Sequence, residues 1–170
     1  MPKLPVTLRP ARTTDVPAIQ DIVRPHADSR VLLQKEKVAY YEAIQEFVVA
    51  EDEAGELVGF GALHVMWEHL AEVRTLAVSD RARGGGVGHA ILTELLERAR
   101  AVGVRQVFCL TFEVDFFSAH GFEVMADQTA VDPEVYAELL RSTDEGVAEF
   151  LDLARVKPNT LGNTRMIRDL

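Results

Sequence analysis

Apolar residues along this chain recur with two periods, and the alternation between the two periods outlines the fold. Val6-Thr7-Leu8-Arg9 alternates and predicts a short strand ending at Pro10. Thr13-Thr14-Asp15 reads as the cap of a helix with Val16, Ile19, Ile22 and Val23 on one face and Pro25 as its stop. Val31-Leu32-Leu33 opens a second short element, and Val38 to Ile44 has helical spacing. Phe47-Val48-Val49-Ala50, the turn Glu51-Asp52-Glu53-Ala54-Gly55, and Leu57 to Val65 together predict a hairpin. Val73 to Val78 is a further strand. After a glycine-rich loop, Val87, Ile91, Leu92, Leu95, Leu96, Ala99 and Val102 fall at helical spacing, and Gly103 closes that helix.

Val107 to Thr111 then predicts a strand parallel to the one before the loop, because a helix crosses over between them. Phe116 to His120 suggests a short helix before Gly121, and Phe122-Glu123-Val124-Met125 a strand. Asp132-Pro133 starts a helix through Leu140. Phe150-Leu151-Asp152-Leu153 alternates like a strand. The sum is an α/β (α+β) protein: a mixed central sheet with flanking helices, hairpin-rich in front and βαβ at its core.

Composition narrows the function. The 170 residues suit one domain over 1–170, and a 48% apolar content supplies a core. A net charge of −9 argues against nucleic acid, whose phosphates require a basic face, and against an anionic membrane surface. The N-terminus lacks an apolar signal region and no stretch is long enough to span a membrane, so a cytoplasmic location is expected. Cys109, the single cysteine, lies in an apolar run and reads as a buried small hydrophobe. The five histidines, His26, His64, His69, His89 and His120, show no metal-ligand spacing, so no metal is expected. Charge is uneven: acidic residues dominate 113–152, with Arg141 the lone basic residue, whereas Arg155, Lys157, Arg165 and Arg168 make the tail basic. That tail, with Asn159, Gly162 and Asn163, has the composition of a hydrogen-bonding loop.

The strongest chemical signal is Arg81-Ala82-Arg83-Gly84-Gly85-Gly86-Val87-Gly88, between a strand and a helix. Glycines let backbone N–H groups approach an anion, and the helix N-terminus adds unsatisfied donors and partial positive charge. Arg81 and Arg83 add full charges, so a pyrophosphate is the natural occupant. A P-loop requires Gly-Lys-Ser/Thr, whereas His89-Ala90 follow Gly88. A dinucleotide fingerprint requires a third glycine where Ile91 stands; Glu113 as a ribose-binding acid keeps that alternative open.

Arg83-Gly84-Gly85-Gly86-Val87-Gly88 resembles the R-x-x-G-x-G acyl-CoA signature of the GNAT N-acetyltransferases. Glu72 to Val78 resembles their fourth strand, and Phe116-Phe117-Ser118-Ala119-His120-Gly121-Phe122 the segment after their fifth. Leu32-Leu33-Gln34-Lys35, Glu46 to Glu51, Gly61-Ala62-Leu63-His64, Leu110-Thr111-Phe112 and Val156 to Asn163 extend the resemblance to N-acetylglutamate synthases, in their short, single-domain actinobacterial form.

The resemblance implies a GNAT fold, acetyl-CoA as co-substrate and no metal. It implies an amino-acid N-acetyltransferase, acting on L-glutamate or L-glutamine at the first step of arginine biosynthesis. It implies Glu72 as general base, acting directly or through a water. The position of the usual GNAT tyrosine is occupied by Phe117, which cannot protonate a leaving thiolate, so Thr111 is the hydroxyl candidate at the sulfur. Acetyl-CoA would lie on the backbone of Leu76, Ala77 and Val78 and on the loop Arg83, Gly84, Gly85, Gly86, Val87, Gly88 and His89, with Phe117 beside it. Two substrate carboxylates require several cationic or N–H contacts. Lys35, Arg74, Arg155, Lys157 and Asn159 are the candidates, with Asn163 and Arg165 further along the tail. Period-two alternation puts Arg74 on the face of Glu72 and Leu76. A homodimer is expected.

Competing readings stay open. Glu72 is alternatively a solvated strand-end carboxylate paired with Arg74, and Thr111 a strand threonine with a satisfied hydroxyl. The whole chain is alternatively a GNAT enzyme for another amine or a protein N-terminus, or a non-catalytic acyl-CoA-binding regulator.

Overall fold

The computed structural model describes residues 3–28, 35–125, 132–151 and 162–170. Seven strands form a mixed sheet: β1 (Thr7–Pro10), β2 (Phe47–Glu51), β3 (Leu57–Trp67), β4 (Leu70–Val78), β5 (Gln106–Thr111), β6 (Glu123–Val124) and β7 (Thr164–Asp169). Their order is β1-β2-β3-β4-β5-β7-β6. The helices are α1 (Val16–Asp28), α2 (Lys37–Glu42), α3 (Val87–Ala101), α4 (Val114–Ser118), α5 (Pro133–Leu139) and α6 (Glu145–Phe150). The chain divides into two compact units, Met1–His64 with Val73–Val102, and Val65–Glu72 with Gly103–Leu170.

In the first unit β1 pairs antiparallel with β2, and β2 with β3, where a bulge falls between Ala50 and Glu51. The α1 stripe is buried as its spacing requires: Val16, Ile19 and Val23 pack with Tyr40, Phe47, Val49, Phe60 and Ala77. On α3, Ile91 and Leu95 press on β3 at Gly59 and Gly61. A Cβ on Gly59 would meet Ile91 Cδ1 at 2.9 Å, and one on Gly61 would meet Leu95 Cδ1 at 3.0 Å. Those glycines let the helix carrying the loop seat directly on the sheet.

In the second unit β5 pairs with β4 in parallel from Leu70↔Gln106 to Glu72↔Phe108, and antiparallel with β7 along its whole length. Met66, Leu70, Phe108, Met125, Leu139, Val147, Phe150 and Leu151 form its core. Phe108 meets Phe150 edge-on, with centroids 5.4 Å apart.

Four expectations need correction. Pro25 does not stop α1, which runs to Asp28; it lies in the last turn, where its missing N–H removes one bond and little helix remains to disturb. Phe150 ends a helix rather than starting a strand, because the Asp144 side chain accepts the Val147 N–H at 3.1 Å and caps α6. The tail from Thr164 is a strand, β7, and not a loop. Its charged residues dilute the alternation, but Met166 is fully buried against the β5 neighbour Cys109. The strand expected from Val73 begins at Leu70, since β3 runs on to Trp67 and leaves a two-residue turn. The element expected at Val31-Leu32-Leu33 lies outside the described residues.

One polar cluster ties β1 to the start of α1. Arg9 donates to both carboxylate oxygens of Asp15, at 2.7 and 2.9 Å, and to Glu51 on β2. The Arg12 backbone N–H donates to Asp15 as well. The Arg9 hydrogen bond holds the Asp15 carboxyl below the ordinary carboxylate range, against the opposing effect of burial. Stability from this group is present above the unfolded carboxylate pKa and is lost as pH falls through the depressed folded value. Asp15→Asn should therefore cost about 1–3 kcal/mol at pH 7 in urea unfolding. The gap from the unsubstituted protein should narrow as pH falls through the folded Asp15 value; a gap independent of pH would contradict this account.

Candidate functional site

The glycine loop belongs to the first unit and follows β4 through a 3-10 turn at Asp80–Ala82. Gly84 and Gly86 have φ of 76° and 80°, a left-handed backbone that side chains resist. Gly86 is the N-cap of α3, and the first intrahelical bond runs from Ala90 N to Gly86 O at 3.1 Å. The N–H groups of Val87, Gly88 and His89 therefore have no acceptor within the helix. Gly85 donates to Ala82 O at 3.1 Å and accepts from Leu4 N at 2.9 Å, and a Cβ there would lie 2.9 Å from Leu4 Cβ. His89 sits on the first turn, its carbonyl accepting from Thr93 Oγ1 at 2.8 Å.

The arginines divide. The Arg81 guanidinium, largely exposed, donates to Asp52, in the β2–β3 turn, at 2.7 Å. Arg83 stays beside the glycines, exposed and 3.3 Å from the exposed carboxylate of Asp80, a pairing that solvent screens heavily.

β4 reaches this loop through a distorted backbone. Thr75 has φ 55°, an outlier for a β-branched residue that costs of order 1–3 kcal/mol. The period-two alternation does not carry through it, so the expected common face of Arg74 and Leu76 does not follow from strand spacing. Ala77 is buried in the first unit's core, while Arg74, Leu76 and Val78 are half-buried. The Val78 carbonyl lies 3.5 Å from His26 Nε2.

In the second unit Glu72 is 6% exposed, on β4 opposite Phe108. It is buried, which removes the reading as a solvated strand-end carboxylate. Its charge joins burial in pushing the Cys109 thiol well above its ordinary range, so Cys109 is the buried, unreactive residue expected. Thr111 ends β5 at 8% exposure, and its Oγ1 accepts the Glu113 N–H at 2.9 Å. The Thr111 hydroxyl thus keeps its own proton to donate. Phe117 on α4 is buried edge-on between Phe116 and Phe122, at centroid distances of 5.2 and 5.1 Å.

Lys35 is half-buried and lines a small pocket in the first unit with Gln20, Val23, Arg24 and Tyr40. Tyr40 is 1% exposed and its hydroxyl has no hydrogen-bond partner among the described residues. Burial raises its pKa, and the Lys35 backbone opposes this more weakly. Sequence reasoning missed Arg24 and Tyr40. The helical spacing of Gln20, Val23 and Arg24 on α1 was the available signal, and nothing marked Tyr40 as more than an apolar helix residue.

Arg155, Lys157 and Asn159 lie outside the described residues. Arg165 is on β7, where Nη1 donates to the Phe150 carbonyl at 3.3 Å. Arg168 Nη1 donates to the His120 carbonyl. The described part of the basic tail therefore makes bonds within its own unit. His64 pairs with Glu46 at 2.7 Å, and His120 Nδ1 lies 2.9 Å from the Phe116 carbonyl. Among the described residues no group of three His, Cys, Asp or Glu is placed to hold a metal, and no helix is long and apolar enough to cross a membrane.

Comparison with known proteins supplies the family. The model of the acetyltransferase (GNAT) family matches residues 16–122, running through both units. An amino-acid acetyltransferase of Mycobacterium tuberculosis is 53% identical over 162 residues, 94% of this chain and 92% of that protein. One from Neisseria meningitidis serogroup A is 31% identical over 124 residues, but this chain spans only 28% of its length. The crystal structure of Rv2747 from Mycobacterium tuberculosis, in complex with CoA and NLQ, superposes with a TM-score of 0.90 at 52% identity, covering 96% of this chain and 99% of that one. N-acetylglutamate synthase from Neisseria gonorrhoeae, complexed with coenzyme A and N-acetyl-glutamate, shares the fold. Its TM-score is 0.76 at 24% identity, over 99% of this chain and 36% of that one. Glycine loop, sheet order and relatives agree: the chain belongs to the GNAT family of acetyltransferases and is an N-acetyltransferase.

Proposed function

We propose that this enzyme transfers the acetyl group of acetyl-CoA to the α-amine of L-glutamate, with L-glutamine as a second acceptor, and so catalyses the first step of arginine biosynthesis. The observation that carries the reading is 53% identity with an amino-acid acetyltransferase, spread over nearly the whole of both chains. Residues 1–170 act in this reading as one acetyltransferase domain. Its two proposed substrates are cytoplasmic metabolites, which supports a cytoplasmic location. The GNAT resemblance supports a homodimer, and the net charge of −9 supports the absence of nucleic-acid and anionic-membrane partners.

The residues support the chemistry in the following way. The loop Arg83 to His89 holds the CoA diphosphate, because its helix-start N–H groups lack intrahelical acceptors and Arg83 stands beside them. Leu76, Ala77 and Val78 lie beyond the end of the β4–β5 ladder, and their backbone serves the pantetheine arm as a strand partner. Phe117 is an apolar neighbour of the same cofactor. Glu72 takes the proton from the substrate ammonium, directly or through a water, so that the amine carries a lone pair to the thioester carbon. The C–N bond forms, the tetrahedral centre collapses as the C–S bond breaks, and the extra proton left on the amide nitrogen passes to the departing sulfur to give the CoA thiol; Thr111, whose hydroxyl retains a donatable proton, hydrogen-bonds that sulfur. Glu72 aligns with Phe108, three residues before Thr111 on β5, a spacing of roughly 10 Å along the strand. Lys35 and Arg74 hold the acceptor carboxylates, together with Arg155, Lys157 and Asn159.

Thiol release from acetyl-CoA across a panel of amino acids, peptides and simple amines tests the acceptor. Release with glutamate or glutamine supports the reading; release only with other amines or peptides, or none with any acceptor, overturns it. Glu72→Gln should lower kcat by about 10²-fold to 10⁴-fold. It should leave the KM for acetyl-CoA near its original value, and an unaltered pH–rate profile would remove Glu72 from the base role. Thr111→Val should lower kcat about tenfold, with Thr111→Ser restoring most of the loss. Equal losses in the two variants would assign Thr111 to packing.

A further inference from the structure

We propose that the N-terminal segment Lys3–Leu4 is a working part of the acetyl-CoA site: the Leu4 amide aims the loop's first diphosphate donor, and the Lys3 ammonium adds charge beside it. The inference rests on the reading of the glycine loop as the diphosphate site.

Both polar groups of Gly85 are committed. Its N–H closes a turn on Ala82 O at 3.1 Å, and its carbonyl accepts the Leu4 N–H at 2.9 Å. Across a planar trans peptide the carbonyl and the following N–H point in opposite directions. A Gly85 carbonyl held toward Leu4 therefore turns the Gly86 N–H to the opposite side. Gly86, left-handed at φ 80° and ψ 2°, then leads straight into α3 and its orphan donors at Val87, Gly88 and His89. One hydrogen bond from residue 4 thus fixes the direction of the first donor in the anion-binding turn. The segment is packed as well as bonded, since a Cβ on Gly85 would lie 2.9 Å from Leu4 Cβ.

Lys3 runs over the neighbouring glycine. Its Cγ lies 3.7 Å from where a Gly86 Cβ would stand, and the residue is exposed. Its flexible ammonium is within reach of an anion held on the loop. Arg81 pairs with Asp52, so Arg83 is the arginine left beside the glycines and Lys3 adds a second positive charge there. Leu4 is a positioning residue and Lys3 a direct electrostatic contact.

The experiment compares acetyl-CoA with S-acetylpantetheine, which keeps the thioester and pantetheine arm but lacks the diphosphate. Leu4→Pro removes the donor N–H, and Lys3→Glu reverses the charge at an exposed position. In each variant the KM for acetyl-CoA should rise about tenfold, while the KM for S-acetylpantetheine and for the amino-acid acceptor stays unchanged. Lys3→Glu should also flatten the salt dependence of the acetyl-CoA KM. Equal changes with the two donors in a folded variant, or an acetyl-CoA KM untouched by Lys3→Glu, overturn the proposal. Thermal melting identifies a misfolded Leu4→Pro, in which case Lys3→Glu decides alone. Failure of the underlying reading looks different: the unsubstituted enzyme would then use acetyl-CoA no better than S-acetylpantetheine.

Discussion

A strand cannot be hydrogen-bonded along its whole edge to a neighbour and also offer that edge to a ligand, and the proposed use of β4 requires both within nine residues. Its first three residues pair in parallel with β5, from Leu70 to Glu72. The left-handed Thr75 follows, and Leu76, Ala77 and Val78 lie beyond the ladder. A β-branched residue in that region is strained, and strain of this kind persists only where the surrounding structure over-determines it. The buried residues on either side, Glu72 and Val73 before it and Ala77 after it, hold the backbone in place. The proposed base precedes the distortion, the proposed pantetheine backbone follows it, and the glycine loop continues from the strand end.

The same economy of backbone governs the loop. An acidic chain must hold an anionic acyl donor, and it does so with few full charges. Arg81 pairs with Asp52, so the proposed recognition draws on oriented N–H groups, which a net charge of −9 does not cancel. Orientation then depends on what fixes each peptide plane. Gly85 is fixed from two sides, by Ala82 within the loop and by Leu4 from the N-terminus. Beneath the loop, α3 is seated on β3 by contacts that only glycines at 59 and 61 permit at that distance.

Much of this was legible in the residues because the relevant signals are local. The α3 stripe, the parallel β4–crossover–β5 unit and the glycine signature are read from spacing within a few turns, and the structure reproduces each. The errors arose where distant contacts override a local pattern. Phe150 alternates like a strand residue but is captured by a helix that Asp144 caps. The basic tail reads as a loop, yet Arg165 and Arg168 lie on β7 and bond to carbonyls of their own unit. Lys35 was marked by resemblance alone; its neighbours Arg24 and Tyr40 were invisible because α1 and α2 meet only after folding.

Neighbouring residues alone carry the class of sheet, the place of the glycine-rich loop between strand and helix, and the residue types able to act as base and hydrogen-bond donor. These follow from periodicity, from the conformational freedom of glycine and from side-chain chemistry, all properties of neighbouring residues. Folding decides that Glu72 is buried, that Thr75 breaks the alternation of β4, that Arg81 pairs with Asp52, and that residue 4 holds residue 85. Each of these depends on partners far away in the chain, and only packing determines which distant groups share a hydrogen bond or exclude water.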